Sequence, residues 1–439
     1  HHFVPIMPIG LVELTLMGRL HFNFLICLNP EMTPLKSSPE QPADDFLQKD
    51  FRWDWITPVC LLGLSLISVL FIQSAQAYIG GDQWKMQIIW CSLGFLSYLV
   101  VSLVDYHFWM RYAHIFYFAS ILALCLVFGG PTIYGARRWI DFGYFKIQPS
   151  EITKWATLIF GASILARAKI GDFRESLKGI AKATGCFALP MFLIFLQPDL
   201  GSTMVFPPIA FSLLYIARIP TRFFLATFTI FLVMLGVLSL DIFHYYQYKS
   251  ENQRSSDAIV AYEETSLVPL KDYQRKRILT FLAPKVEDPE GIGANWNRIQ
   301  ALIAVATGGF SGKGFGDGMQ AKLGYLPSAV AHNDFIFAVL AEESGLLGSA
   351  LALLAYILIV FGCLRVAGKS SDRFGAMLAV GVSVLLMTHI FVNIGMTIGI
   401  TPITGLPLPF LSYGGSFLVT CFLLLGMVQS VYRHRKEFR

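Results

Sequence analysis

From Trp55 onward the chain alternates long apolar runs with short polar breaks. The runs fall at roughly 55–74, 86–104, 109–129, 150–168, 183–197, 200–217 and 222–241, and again at 335–364, 374–397 and 412–432. About 20 apolar residues cross a bilayer as a helix, so the pattern predicts ten spans, with a long polar stretch from Asp241 to Asn333 after the seventh. The expected fold is an all-α polytopic membrane protein of about ten transmembrane helices with a large extracytoplasmic loop between helices 7 and 8. Its organisation would be 1–50 as a disordered or artefactual N-terminal segment, 51–241 as helices 1–7, 242–333 as the loop, 334–433 as helices 8–10, and 434–439 as a cytoplasmic tail.

Orientation follows from the cations. The breaks at 166–182, 218–222 and 365–373 and the C-terminal tail are rich in Lys and Arg, which places them on the cytoplasmic side. Alternation then puts both termini inside and the loops at 75–85, 129–149, 241–333 and 398–411 outside. One outer loop breaks the rule: Arg137, Arg138 and Lys146 put three cations on the far side. They suit an anionic ligand, or an aromatic-belt anchor with Trp139 and Tyr144 at headgroup depth, and the residues alone leave both readings open.

Composition agrees with the pattern. The 439 residues are 55% hydrophobic and 14% charged, where soluble domains are roughly 45–50% apolar and about 25% charged, and this excludes a water-soluble globular fold. A net charge of +5 is too small to point to nucleic acid. The seven cysteines lie in apolar runs or in the N-terminal stretch and form neither a disulfide framework nor a zinc pattern. Residues 1–30 begin without methionine and are read as a tag or a mis-called start. Met32 is taken as the start of a polar, disordered cytoplasmic tail with no signal-peptide pattern.

Candidate chemistry clusters at the predicted outer ends of the spans. Glu151 and Lys154 follow Pro149 at helical spacing on one face, which suggests either a polar cavity in the bundle or a first-turn capping arrangement. Gln197-Pro198-Asp199 forms a tight turn in which Asp199 is read as a helix cap. Arg275, Lys276 and Arg277 read as a solvated or headgroup-facing patch, and the glycines from Gly308 to Gly318 lack nucleotide-loop spacing, since Lys313 precedes Gly314. His332-Asn333-Asp334 ends the large loop, and Asp334 suits either an N-cap or a general base. The Pro- and Gly-broken segment from Thr401 to Ser416 lies at membrane depth, where irregular backbone must be buried in protein or line a cavity, so it is expected to wall the site.

Taken together, Gly135-Ala136-Arg137-Arg138-Trp139-Ile140, Gln148-Pro149-Ser150-Glu151, Gln197-Pro198-Asp199-Leu200-Gly201, Gly312-Lys313-Gly314, Asp334-Phe335-Ile336-Phe337-Ala338 with Ala341-Glu342-Glu343, and Leu411-Ser412-Tyr413-Gly414-Gly415-Ser416 resemble the SEDS family of bacterial peptidoglycan polymerases. The resemblance spans roughly 51–433. Asn393-Ile394-Gly395-Met396 and Gly405-Leu406-Pro407-Leu408-Pro409 look like its elongation (RodA-type) branch more than its division (FtsW-type) branch. It implies a multi-pass protein of the bacterial cytoplasmic membrane that polymerises lipid II by inverting transfer, releasing undecaprenyl pyrophosphate. It also implies a class B penicillin-binding protein and the elongation machinery as partners.

By the same resemblance Asp334 is the catalytic base. Arg137, Arg138, Glu151, Lys154, Lys313, His332 and Ser412 are substrate-binding candidates, with Arg277 a further cation for the pyrophosphate. No cofactor is implied with certainty, and a divalent cation at the pyrophosphate stays open. Departures from the family pattern are Asn333 for Thr, Ser202 for Thr, Ser328 for Glu, the missing Tyr after Gly293, and an apparent insertion at 245–270. Competing readings are a lipid II flippase, suggested by Glu151 and Lys154, and a non-catalytic scaffold for the transpeptidase.

Overall fold

The computed structural model describes residues 53–78, 80–130, 137–141, 143, 146–168, 173–251, 268, 272–284, 288, 291–293 and 295–435. The expectations for residues 1–50, Gly135, Ala136, Tyr144, the side chain of Arg277, most of the 245–270 insertion and the end of the tail lie outside them.

Helices α1 (Ile56–Ala77), α2 (Gln83–Leu103) and α3 (Tyr106–Val127) come first. A small antiparallel ladder follows, β1 (Ile140–Asp141) with β2 (Lys146–Ile147), in which Asp141 lies opposite Lys146. Next are α4 (Pro149–Arg167), α5 (Phe173–Leu196), α6 (Leu200–Ile216) and α7 (Thr221–Glu251). The region that follows is not featureless, since it contains α8 (Asp272–Leu282), α9 (Trp296–Gly308), α10 (Met319–Lys322) and α11 (Ser328–Ala331). The chain closes with α12 (Ile336–Gly368), α13 (Arg373–Thr397) and α14 (Gly415–Arg433).

Every predicted apolar run is helical. Among the described residues eight helices are long and apolar enough to cross a membrane: α1, α2, α3, α5, α7, α12, α13 and α14. Of the other two, α6 has 17 residues and α4 carries Glu151, Lys154 and Arg167. The protein is thus an all-α polytopic membrane protein. Helices α13 and α14 are the most enclosed spans, whereas the apolar stretch of α7 buries none of its residues. Large side chains such as Phe231, Val233 and Met234 on α7 are exposed, as expected where the surrounding solvent is lipid.

Two elements depart from what polarity alone predicts. Helix α7 does not stop at Asp241 but runs on to Glu251. Asp241 is hidden because Arg275 of α8 reaches it, with Nε 3.0 Å from Oδ2 and side chains 0% and 1% exposed. Arg275 also donates to the Val268 carbonyl at 2.7 Å, and Ile242, Tyr245 and Leu279 pack around the pair. The expected solvated patch is therefore corrected at Arg275, which is a buried ion-pair partner.

Helix α12 is the second. It is broken at Gly345, where φ is 63° and ψ −158°. The carbonyls freed there are taken by the glycine-rich loop: Lys313 N–H donates to Glu342 O and Gly314 N–H to Glu343 O, both at 3.0 Å, while Leu346 N–H returns to Gly309 O at 2.9 Å. The Glu342 and Glu343 side chains lie under this loop at 1% and 3% exposure. Glu342 accepts from the Met319 N–H at 2.9 Å and from Lys313 Nζ at 2.5 Å, and Glu343 accepts from Ser74 Oγ at 2.5 Å. The loop thus acts as a strap around the kink.

At the other end of the bundle, Asp105 and Asp372 cap α3 and α13. His107 bridges them, with Nδ1 2.8 Å from Asp105 Oδ1 and Nε2 3.1 Å from Asp372 Oδ2.

Candidate active site

The site is organised around the irregular segment between α13 and α14. Its backbone carbonyls have no helix to serve them, and side chains from several spans do so instead, as burial requires. Ser68 of α1 donates to Leu411 O at 2.8 Å. Gln87 of α2 donates to Ser68 Oγ at 2.9 Å, Tyr356 of α12 donates to Pro409 O, and His389 Nδ1 lies 3.2 Å from Pro407 O. Within the segment Phe410 has φ 64°, rare for an aromatic residue. Its ring is locked edge-on against Phe422, with centroids 5.2 Å apart, so packing holds the local strain.

Asp334 is fixed to this segment through the backbone of its own turn. Asn393 Nδ2 donates to both Asp334 O at 2.8 Å and Leu406 O at 2.7 Å. Ser412 Oγ donates to Asn333 O at 2.6 Å while accepting from Leu408 N–H at 2.7 Å. The Tyr413 N–H donates to His332 O at 3.0 Å, and the two rings meet edge to face at 5.5 Å. Asp334 itself is partly buried. A Cβ built on Gly405, where φ is +72°, would come within 3.5 Å of its Oδ2, so the carboxylate faces the segment at a residue that carries no side chain. The N-cap position of α12 is Phe335, the residue after Asp334, and its side chain makes no cap.

Glu151 and Lys154 sit on α4 with Lys154 Nζ 2.7 Å from Glu151 Oε2 and side chains 4% and 2% exposed. Lys154 Nζ also lies 3.1 Å from His389 Nε2 and 5.5 Å from the centroid of the Phe417 ring, on which His389 stacks. The pair is enclosed by protein, and Lys154 links it to the side chains of His389 and Phe417. It joins the 406–412 segment through His389 and Pro407.

The remaining candidates are spread further. Asp199 caps α6, with Oδ1 accepting the Ser202 N–H at 3.1 Å, and Oδ2 accepts from Gln148 at 3.0 Å. Arg138 covers the same turn, donating from Nε to Gln197 O at 3.1 Å and from Nη2 to Pro198 O. Arg137 is exposed and donates to Phe128 O at 2.7 Å. Lys313 is occupied by Glu342 and is 26% exposed. The structure thus brings Asp334, His332 and Ser412 into one network, connects Glu151 and Lys154 to it, and places Arg137, Arg138 and Lys313 on other partners. Among the described residues no group of three or more His, Cys, Asp or Glu side chains could hold a metal ion.

Sequence reasoning missed His389. A histidine within an otherwise apolar span, four residues before Asn393, was the available signal.

Comparison with known proteins decides the family. The family described as "Cell cycle protein", FtsW/RodA/SpoVE, matches residues 54–437. The chain belongs to this family. A similar relative is the peptidoglycan glycosyltransferase RodA of Treponema pallidum (strain Nichols), 32% identical over 428 residues and covering 86% of this chain and 97% of that one. The peptidoglycan glycosyltransferase MrdB of Escherichia coli K12 is 33% identical over 378 residues, covering 86% and 92%. A probable peptidoglycan glycosyltransferase FtsW of Coxiella burnetii is 32% identical over 388 residues, covering 85% and 94%.

Among solved structures, a chain from a study of polymerization and crosslinking by a peptidoglycan synthase complex superposes with a TM-score of 0.66 at 25% identity, covering 88% of this chain and 99% of that one. The rod-shape-determining protein RodA of Thermus thermophilus shares the fold, with a TM-score of 0.61 at 24% identity and coverage of 88% and 99%.

Proposed function

We propose that this FtsW/RodA/SpoVE protein is a peptidoglycan glycosyltransferase of the elongation type that polymerises lipid II at the outer face of the bacterial cytoplasmic membrane. All ten apolar helices span in this reading, and both termini are cytoplasmic. The observation that carries it is the holding of Asp334: three donors from α13 and the 412–413 turn fix the backbone around it, and its carboxylate faces Gly405. A positioned carboxylate suits the one proton transfer that this chemistry needs.

In the reaction the acceptor sugar's 4-hydroxyl attacks the anomeric carbon of a chain carried on undecaprenyl pyrophosphate. The new glycosidic bond forms with inversion, the bond to the pyrophosphate oxygen breaks, and Asp334 takes the hydroxyl proton, a step typically worth 10²–10⁴-fold. Arg137 and Arg138 are the favoured pyrophosphate ligands, because a guanidinium has five donors and the described contacts use one and two of them. Lys313 is less suited, since its ammonium serves Glu342. The crosslinking partner in this reading is a class B penicillin-binding protein, acting within the elongation machinery. Transport of lipid II finds less support, because Glu151 and Lys154 are enclosed by protein and Lys154 is engaged by Glu151 and His389.

The test is polymerisation of labelled lipid II by the purified protein with its cognate transpeptidase, read as glycan ladders on a gel. Wild type should give ladders, and Asp334→Asn should lose at least about 100-fold, the lower range for general base removal. Ladders of equal intensity from both would remove Asp334 from the mechanism. No ladders from either, with lipid II crossing liposomes, would make the protein a transporter.

A further inference from the structure

Between the buried charges on α4 and the 406–412 segment lies His389, which is 0% exposed. Its two ring nitrogens have different partners. Nδ1 faces the Pro407 carbonyl at 3.2 Å, and a carbonyl only accepts, so Nδ1 carries the proton. Nε2 faces the Lys154 ammonium at 3.1 Å, and an ammonium only donates, so Nε2 offers its lone pair. The neighbours therefore assign one neutral tautomer, a connector that accepts at one end and donates at the other.

Lys154 has three N–H groups, and its neighbours are Glu151 Oε2, His389 Nε2 and the face of Phe417, so its direction is determined. Asn393, one helical turn beyond His389 on α13, grips Leu406 O and Asp334 O. Ser412 closes the far end on Asn333 O. The segment from Leu406 to Ser412 is thus held at Leu406, Pro407 and Ser412, and the first and last of these contacts come from residues that also hold the turn of Asp334.

We propose that His389 is a positioning residue for the transfer reaction. In this role it couples the Glu151–Lys154 pair to the 406–412 segment, which keeps the Asp334 turn in its working place. His389 does not touch the reacting atoms. The inference rests on the glycosyltransferase reading above and extends it to a residue outside the catalytic turn. A loss at His389 would loosen the geometry around Asp334 more than it would weaken substrate capture, so it should appear in kcat rather than KM.

The experiment compares wild type with His389→Phe, His389→Gln and His389→Asn in lipid II polymerisation with the cognate transpeptidase. Amide hydrogen exchange at Leu408 and Tyr413 is followed on the same preparations. Phenylalanine keeps an aromatic ring beside Phe417 and loses both polar contacts. Glutamine can accept from Lys154 and donate to Pro407, and asparagine is too short to span both. Expected are a kcat at least about ten-fold lower for the phenylalanine and asparagine variants with KM within about three-fold, and recovery to within about three-fold of wild type by glutamine. Leu408 and Tyr413 should exchange faster in the same two variants and be protected in the glutamine variant. If His389→Phe does not fold, His389→Asn against His389→Gln gives the same comparison.

Wild-type kcat in the phenylalanine or asparagine variant overturns the proposal, as does a fall in kcat with unchanged exchange at both amides. A failure of glutamine to rescue while asparagine behaves alike also overturns it. An inactive wild type would instead overturn the glycosyltransferase reading, and with it the catalytic meaning of His389, while the exchange data would still decide the coupling.

Discussion

Replacing Gly345 with alanine should destabilise the protein even though alanine is the better helix former by about 1 kcal/mol. Gly345 lies inside α12 at φ 63° and ψ −158°, a region that is essentially glycine-only and costs other residues about 1–3 kcal/mol. A Cβ there would sit 2.3 Å from the Gly312 nitrogen and 2.7 Å from the Phe310 oxygen, and neither backbone atom can swing aside. The helix can escape only by straightening, which expels the strap and its four bonds: Lys313 N–H to Glu342 O, Gly314 N–H to Glu343 O, Leu346 N–H to Gly309 O and Leu347 N–H to Phe310 O.

At about 0.5–1.5 kcal/mol net for each bond, the four are worth about 2–6 kcal/mol, part of which a straightened α12 recovers by closing its own ladder. A remaining loss of about 2 kcal/mol corresponds to a factor of about 30 in the local opening equilibrium. Hydrogen exchange at the Lys313 and Gly314 amides measures it directly, and polymerisation should fall in parallel. If Gly345→Ala left exchange at both amides unchanged, the strap would not depend on the kink, and this account of Glu342 and Glu343 would be wrong.

The buried pair on α4 should behave as a unit. Removing one partner, as in Glu151→Gln or Lys154→Met, should cost about 3–5 kcal/mol by leaving the other charge uncompensated, whereas the double variant should recover much of that loss. A double-mutant cycle on thermal unfolding in detergent checks this, and strict additivity would refute it. At the opposite end, burial pushes the Asp105 carboxyl up, but hydrogen bonds from the His107 backbone and ring outweigh it and hold the group below the ordinary aspartate range. A lowered carboxylate stabilises above the ordinary range, near pH 4, and loses that contribution as pH falls through its own lowered value. The stability gap between wild type and Asp105→Asn should therefore be present at pH 6 and close at the acid end of a thermal scan. It should be small, because the side chain is 53% exposed.

Much of this protein was legible along the chain because a bilayer imposes a demand that sequence states openly. A span must be apolar for about 20 residues, and all ten apolar runs became helices. Asp199 as a cap was legible for a similar reason, since capping is settled within three residues. What remained hidden depended on partners distant in sequence. The polarity of Asp241 looked like the end of a helix until Arg275 was found closing over it. Arg275 itself looked solvated for the same reason. The Glu342–Glu343 pair gave no sign that the carbonyls beside it would serve a glycine loop some thirty residues earlier.

The same division holds at the site. Sequence by itself determined that this is a multi-pass helical protein with ionisable groups at the ends and interiors of its spans, because charge in an apolar run is costly wherever it occurs. It also carried the motifs by which the family is recognised. Only the tertiary structure decided how those charges are satisfied: Lys154 by Glu151 and His389, Lys313 by Glu342, and the carbonyls of the 406–412 segment by side chains of α1, α12 and α13. Hydrogen bonds reach about 3 Å, so which groups come within that range depends on how helices far apart in the sequence pack together, and local pattern does not contain that information.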